Sequence, residues 1–369
     1  MERTSVGIIG CGNISKIYCE SGRKFNNLKI AACADIDLSR ARAKAAEHEI
    51  PKALSVPEIL ADPEVEIILN LTIPAVHADI SRQALEHGKH VYSEKPLAVS
   101  REDGSELLAL ANSKGLRVGC APDTFLGSGL QTCRKLIDEG VIGEPIGAAG
   151  WMLSHGPEGW HPDPEFFYQP GAGPMFDMGP YYLTAMTSLL GPVQRLTGSA
   201  RISFPERLIT SQAKYGQKIT VRTATHIAGI LDFASGAIGT LVTSFDVHGS
   251  TVPFIEIYGS EGSLSVPDPN TFGGPVKIRL AGEKVFNEVP LAFPYSENSR
   301  GIGLADMAAA ISAGRGHRAN GEMASHVLDM IVGFHDASLG NGHIQLNTTM
   351  QRPEPLPLGL NPGEVELPV

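Results

Sequence analysis

The sequence predicts a two-part chain, α/β in its amino-terminal part and α+β beyond it, on three observations. Short, continuously apolar strand segments alternate with helical segments up to about residue 122, and a glycine turn follows the first strand. Past that point the strands lengthen and are punctuated by Gly and Pro. Alternating helices and strands apolar on both faces belong to a parallel sheet covered on two sides. Longer strands with tight-turn signals belong to a large, mostly antiparallel open-faced sheet. The expected boundaries are 1–122 for the first domain, 123–352 for the second, and 353–369 for a proline-rich tail extended on the surface.

In order, a strand over 6–9 leads through the glycine turn to a helix over 13–24. A strand over 28–34 ends at Asp35, and an Ala- and Arg-rich helix covers 38–48. A strand over 65–71, a helix over 77–87 stopped by Gly88 and a strand over 90–93 follow. A helix over 101–114 and a strand over 116–120 complete the first part. The second part opens with a helix over 126–139 and continues with strands over 146–154, 193–203, 219–233 and 237–247. Ser235-Gly236 and the run Gly259-Ser260-Glu261-Gly262 each signal a hairpin, the latter between strands over 254–258 and 263–266. Helices over 303–313 and 322–339 precede the tail.

Thirty basic against forty acidic residues give a net charge of -10, which disfavours nonspecific contact with nucleic acid or an anionic membrane. The five cysteines all lie in the first 133 residues and form no CxxC pair, so free thiols in a cytoplasmic protein are expected. The amino terminus runs into a strand pattern without a signal-peptide core, and no apolar run is long enough to span a bilayer.

Gly10-Cys11-Gly12-Asn13-Ile14-Ser15 lies between the first strand and the first helix. Gly10 and Gly12 allow the sharp turn that brings backbone amides, with Asn13 and Ile14 at the helix start, against a pyrophosphate. Ser15 stands where a third glycine is usual, and it is small enough for close helix–strand packing. Asp35 ends the second strand, where a carboxylate accepts from the adenosine ribose hydroxyls; a helix-capping role is its alternative. That charge opposes a 2′-phosphate, so NAD is expected in preference to NADP, which is not excluded. Thr72 and Pro74 line the same groove, and His77 either contacts the cofactor or caps the next helix.

Glu94-Lys95-Pro96 follows the 90–93 strand at the carboxyl edge of the sheet, where ligands bind. Pro96 restricts Lys95 to extended conformations and so aims it into the cleft. Beside an oxidised nicotinamide its pKa is expected to fall, which equips Lys95 to take a proton from a reacting hydroxyl.

With Ala34-Asp35, the run from His87 to Leu97, the segment from Ile137 to Pro145 and that from Ile255 to Leu264, these motifs resemble the glucose–fructose oxidoreductase, inositol dehydrogenase and MocA-type family. The resemblance covers nearly the whole chain. It implies a Rossmann dinucleotide-binding domain, a sheet domain that makes a homodimer or homotetramer, and a small polyhydroxylated substrate between them. It also implies hydride exchange between nicotinamide C4 and a secondary alcohol or ketone carbon of a sugar, glycoside or cyclitol. Reduction of a keto-sugar or non-sugar carbonyl is one alternative, and an inactive dinucleotide-binding sensor another. Glu94 and Lys95 fall in the family's cofactor-facing segment.

The family places an aspartate and, four residues later, a histidine on one helix facing the lysine. Asp177 matches the aspartate, but Tyr181 stands in the histidine's place. Residues four apart share a helix face, so Asp177 and Tyr181 are expected to reach one pocket with Lys95, whose charge would lower the Tyr181 pKa. The loop before this helix carries Trp160, which could stack on a sugar, and Glu158, His161 and Asp163, which could bind hydroxyls. Trp160 is equally placed to anchor the loop. No motif requires a metal.

Overall fold

The computed structural model of the protein describes residues 3–367. Its first part runs β1 (Thr4–Ile9), α1 (Ser15–Lys24), β2 (Leu28–Ala34), α2 (Leu38–His48), β3 (Lys52–Leu54) and α3 (Val56–Ala61). It continues with β4 (Ile67–Asn70), α4 (His77–Glu86), β5 (His90–Ser93), α5 (Arg101–Lys114) and β6 (Val118–Cys120). The six strands form a parallel sheet in the order β3-β2-β1-β4-β5-β6. Strands β1, β4 and β5 are enclosed on both faces, with Val6, Ile8, Ile67, Ile68, Leu69, Val91 and Tyr92 all at 0% exposure. The continuous apolar runs reflect that burial. The chain winds outward in opposite directions from β1 and β4, which places a crevice at their carboxyl ends.

The second part runs α6 (Ser128–Asp138), β7 (Pro145–Leu153), α7 (Gly173–Asp177), α8 (Gly179–Leu190) and β8 (Val193–Arg201). Then come β9 (Glu206–Leu208), β10 (Lys218–Thr220), β11 (His226–Phe233), β12 (Ile238–Ser244), β13 (Ile255–Gly259) and β14 (Gly262–Val266). Last are β15 (Val276–Leu280), β16 (Asn287–Val289), α9 (Ile302–Ala313), α10 (Gly321–Gly340) and β17 (Ile344–Gln345). A nine-stranded sheet has the order β16-β15-β14-β13-β7-β12-β11-β8-β17. Its β7–β12 pair is parallel and its other pairs antiparallel. Helix α8 packs on β7 and α10 on β8, covering one face, while Ile230 and Ile238 are exposed on the other. Both expected hairpins are present, and Gly236 takes the positive φ of 93° that its turn requires.

Helix α10 also meets α5 and β6, and so ties the two sheets together. Arg101 of α5 reaches across to Asp329 at 2.5 Å and to Asp336. Among the described residues no helix is long and apolar enough to cross a membrane.

Three local expectations need correction. The strand expected over 219–233 is two strands, β10 and β11, because the backbone between them leaves its sheet: Val221 N–H donates to Pro205 O and Arg222 N–H to Tyr168 O. Strand β3 was not expected, its three half-buried residues being too few to carry a pattern. The tail does not simply lie on the surface, since Leu356, Leu360 and Val365 are buried and Leu356 N–H donates to Gln131 Oε1 at 2.7 Å. Pro368, the end of the extended segment expected there, lies outside the described residues.

Candidate active site

The Gly10–Ser15 turn has the geometry of a phosphate cradle. Gly10 has φ 102°, and a Cβ there would lie 2.6 Å from Leu71 O, so the β1–β4 junction admits only glycine. A Cβ on Gly12 would meet nothing within 4 Å, because that side of the turn is open. Ser15 is buried and donates from Oγ to Gly12 O at 2.6 Å, which closes the turn from within. Among the described residues no hydrogen bond takes the amides of Gly12, Asn13 or Ile14. This open turn with free amides at the start of a ten-residue helix fits a dinucleotide pyrophosphate.

Asp35 sits beside the turn. One carboxylate oxygen accepts from Cys11 N–H at 2.8 Å and the other from Asp37 N–H at 3.0 Å. The cap of α2 is Asp37, which accepts from Ser39 N–H, so the capping alternative for Asp35 does not hold. Ile36 is fully exposed, and Arg40 approaches Asp37 at 3.7 Å.

On the far side of the crevice Thr72 donates from Oγ1 to Asn70 Oδ1, and Pro74 opens a short 3₁₀ turn. His77 is buried behind them, with Nε2 2.9 Å from Thr72 O and Nδ1 2.7 Å from Pro96 O. Burial pulls its pKa down, while the two carbonyls and Glu94 pull it up by a smaller amount.

Glu94 is also buried. Tyr18 donates to its Oε1 at 2.8 Å and Lys95 N–H to its Oε2 at 2.9 Å, so both oxygens position protein groups. The Lys95-Pro96 bond is cis. Lys95 Nζ donates to Asp177 Oδ1 at 2.9 Å and to Asp177 O at 2.6 Å. It lies 5.2 Å from the centre of the Tyr181 ring, within cation–π range.

Asp177 and Tyr181 therefore converge on Lys95, but not on one continuous helix. Helix α7 ends at Asp177 and α8 starts at Gly179. Pro180 has no N–H to continue the ladder, and Tyr181 N–H donates to Met178 O instead of reaching back to Asp177. The break leaves the Asp177 carbonyl free for Lys95.

The two expected pKa directions run the other way with the protein's own groups. Burial lowers the Lys95 pKa, but the charges of Asp177 and Glu94 and the hydrogen bond to Asp177 outweigh it, so the ammonium is held well above its usual range. Burial raises the Tyr181 pKa, and Lys95 and Arg300 offset this only in part. At neutral pH the pair is an ammonium beside a phenol.

Trp160 and His161 lie on the loop before α7. Trp160 is 70% exposed and stands edge-on to His161 at 5.4 Å, and His161 leans on Phe166 and Phe167. Among the described residues no hydrogen bond, ion pair or ring contact joins them to Lys95, Asp177 or Tyr181. Glu158 is not available to a ligand: it is buried against Arg207 and Tyr168. Asp163 pairs with Lys214 at 2.8 Å.

Sequence reasoning missed Arg300, whose charge offsets part of the rise that burial causes in the Tyr181 pKa, and the buried Asp123. Asp123 accepts from Gly301 and Gly303 N–H at 2.8 and 3.0 Å, and burial lifts its pKa to about 6. No motif marks either residue: Arg300 lies about 120 residues after Tyr181 along the chain and Asp123 about 60 before it, on separate segments.

A phosphate cradle at a sheet's switch point, with a lysine at the next strand's end, defines a dinucleotide-binding protein of the Rossmann type. Residues 4–121 match the oxidoreductase family with an NAD-binding Rossmann fold, and residues 130–265 match the GFO/IDH/MocA C-terminal domain. The chain belongs to the GFO/IDH/MocA oxidoreductase family, and NAD is its family's cofactor. It is 31% identical over 140 residues to the uncharacterized oxidoreductase YrbE of Bacillus subtilis, covering 38% of this chain and 41% of that relative. It is 26% identical over 265 residues to 1,5-anhydro-D-fructose reductase of Ensifer adhaerens, covering 70% of this chain and 74% of the relative. A solved levoglucosan dehydrogenase, in complex with NADH and L-sorbose, superposes with a TM-score of 0.80 at 21% identity, covering 94% of this chain and 99% of that one. At that identity the likeness is one of fold.

Proposed function

We propose that the protein is an NAD-dependent dehydrogenase of a secondary alcohol on a sugar, glycoside or cyclitol, with Lys95 managing the proton. The observation that carries this reading is the Lys95 ammonium, held by Asp177 at the end of β5 next to the nucleotide cradle. NAD, when bound, supplies the hydride acceptor. Gly10, Gly12, Asn13 and Ile14 would hold its pyrophosphate, Asp35 its ribose, and Thr72 and Pro74 the opposite wall, with His77 and Glu94 supporting the loops from behind.

A hydroxyl bound at Lys95 gives up its proton as the carbon loses hydride, and the lysine must be neutral at that moment. A neighbouring cationic nicotinamide opposes the ammonium and so favours that release. Asp177 orients Lys95 and a second hydroxyl, and Tyr181 either relays the proton or shapes the pocket. The raised Lys95 pKa also suits protonation of an alkoxide, which supports the ketone-reducing direction as the second reading.

Asp35 favours NAD over NADP, since among the described residues no arginine pairs with it and Arg40 faces Asp37. Trp160 offers an exposed stacking surface for a sugar ring on the segment leading to α7. The open sheet face, with Ile230 and Ile238 exposed, suits a homodimer or homotetramer, and the five buried free thiols suit the cytoplasm.

The test is cofactor reduction with a panel of sugars, cyclitols and glycosides, in the wild type and in Lys95→Ala. Turnover that falls by about 10²-fold or more in the variant supports the reading. Turnover that survives the substitution overturns it.

A further inference from the structure

Tyr18 lies one turn into α1, the helix whose start forms the nucleotide cradle, and its side chain is fully buried. The hydroxyl crosses to the segment after β5 and donates to Glu94 Oε1 at 2.8 Å. Burial and the charge of Glu94 raise the Tyr18 pKa, so the phenol stays a donor. The other carboxylate oxygen accepts from Lys95 N–H at 2.9 Å. Among the described residues these two donors are the only hydrogen-bond partners of the Glu94 carboxylate, itself buried.

The backbone on either side of Lys95 is tied to other segments. Glu94 N–H donates to Asn70 O at 2.9 Å, and Pro96 O meets the His77 ring. The Lys95 amide has no backbone acceptor among the described residues. Its one bond goes to the Glu94 side chain, and Tyr18 orients that side chain. From this position Lys95 Nζ reaches Asp177. A phenylalanine would fill the same core space, so packing alone does not call for the hydroxyl. Without it a buried carboxylate oxygen loses its partner, a cost relieved by turning the carboxyl away or by protonating it. Either response weakens the bond to the Lys95 amide. We propose that Tyr18 is a positioning residue, acting through Glu94 to hold Lys95 against Asp177. The cofactor helix and the lysine are thereby kept in one register.

This inference rests on the proposed function, in which Lys95 carries the proton. The test is the labelling rate of Lys95 by trinitrobenzenesulfonate in the NAD-loaded protein, read from the mass of its peptide, together with steady-state kinetics. The reagent takes the neutral amine, so an ammonium held by Asp177 reacts slowly. Asp177→Asn, which removes that hold directly, sets the scale. Tyr18→Phe should speed labelling by about 10-fold and lower kcat by about 10-fold to 100-fold, with the KM for NAD changed by less than about 3-fold. Glu94→Gln should act in the same direction and decides the matter where Tyr18→Phe does not fold. The double variant should be no worse than the poorer single one, because both changes act on one chain of bonds. Labelling at the wild-type rate in a folded variant, or losses that multiply in the double variant, overturns the proposal. Labelling needs no turnover. Faster labelling of Tyr18→Phe, in a protein that oxidises none of the sugars, cyclitols or glycosides, would sink the hydride-transfer reading and leave this one standing.

Discussion

Lys95 Nζ is joined to Asp177 twice, through the carboxylate at 2.9 Å and through the backbone carbonyl at 2.6 Å. The second bond exists because the helix stops at Asp177, leaving that carbonyl without a helical donor. A charged residue and a helix terminus thus act on one ammonium, and both favour its protonated form.

On the proposed function, Asp177 should set the pH at which Lys95 releases its proton. In the oxidative direction the rate should rise with pH as Lys95 becomes neutral. Asp177→Asn removes a charge that holds the Lys95 pKa up, so the rising limb of the kcat/KM profile should move to lower pH. A limb that stays in place would show that another group titrates there.

Tyr181 has two possible duties, and removal of its hydroxyl separates them. If it relays the proton, Tyr181→Phe should lower kcat by about 10²-fold or more with cofactor affinity retained. Turnover within a few-fold of the wild type would leave Tyr181 as a wall of the pocket, with its ring still against Lys95.

Trp160 should contribute to substrate binding and not to chemistry. Trp160→Ala is expected to raise KM by about 10-fold and to leave kcat within a few-fold, as the loss of a stacking surface worth ~1 kcal/mol or more would. An unchanged KM would assign the indole to the loop alone.

Two buried histidines make the fold acid-sensitive. His326 accepts from Val193 N–H at 3.1 Å, and His317 faces Val118 O; burial lowers the pKa of each to about 4. In the unfolded chain both protonate near pH ~6.5. Their contribution is therefore complete above that pH and is lost as pH falls toward 4, by about 1.4 kcal/mol per unit for each. Urea unfolding from pH 7 to 4.5 checks this, and His326→Gln should flatten the slope. An unaltered slope in that variant would place the acid sensitivity elsewhere.

The parallel sheet was readable because its strands are apolar on both faces and its helices are capped. The start of α2 follows from Asp37, and both limits of α5 from Ser100 and Gly115. Asp177, Tyr181 and Lys95 are legible as a group, but the single helix expected to carry the first two is broken before Pro180. Arg300 and Asp123 were illegible for another reason. Their surroundings are assembled by tertiary packing of segments with no local pattern of their own. With the protein's own groups the Tyr181 pKa rises because of burial, which its neighbours in the chain do not reveal, and that of Lys95 rises because Asp177, 82 residues away, outweighs burial.

His77 touches the loop after β4 through Thr72 O and the loop after β5 through Pro96 O. One ring thus works as a gauge block between the loop that carries Thr72 and the segment that carries the ammonium. On the proposed function, the separation of hydride path and proton path is machined into the fold itself, and neither ligand has to supply free energy to set it.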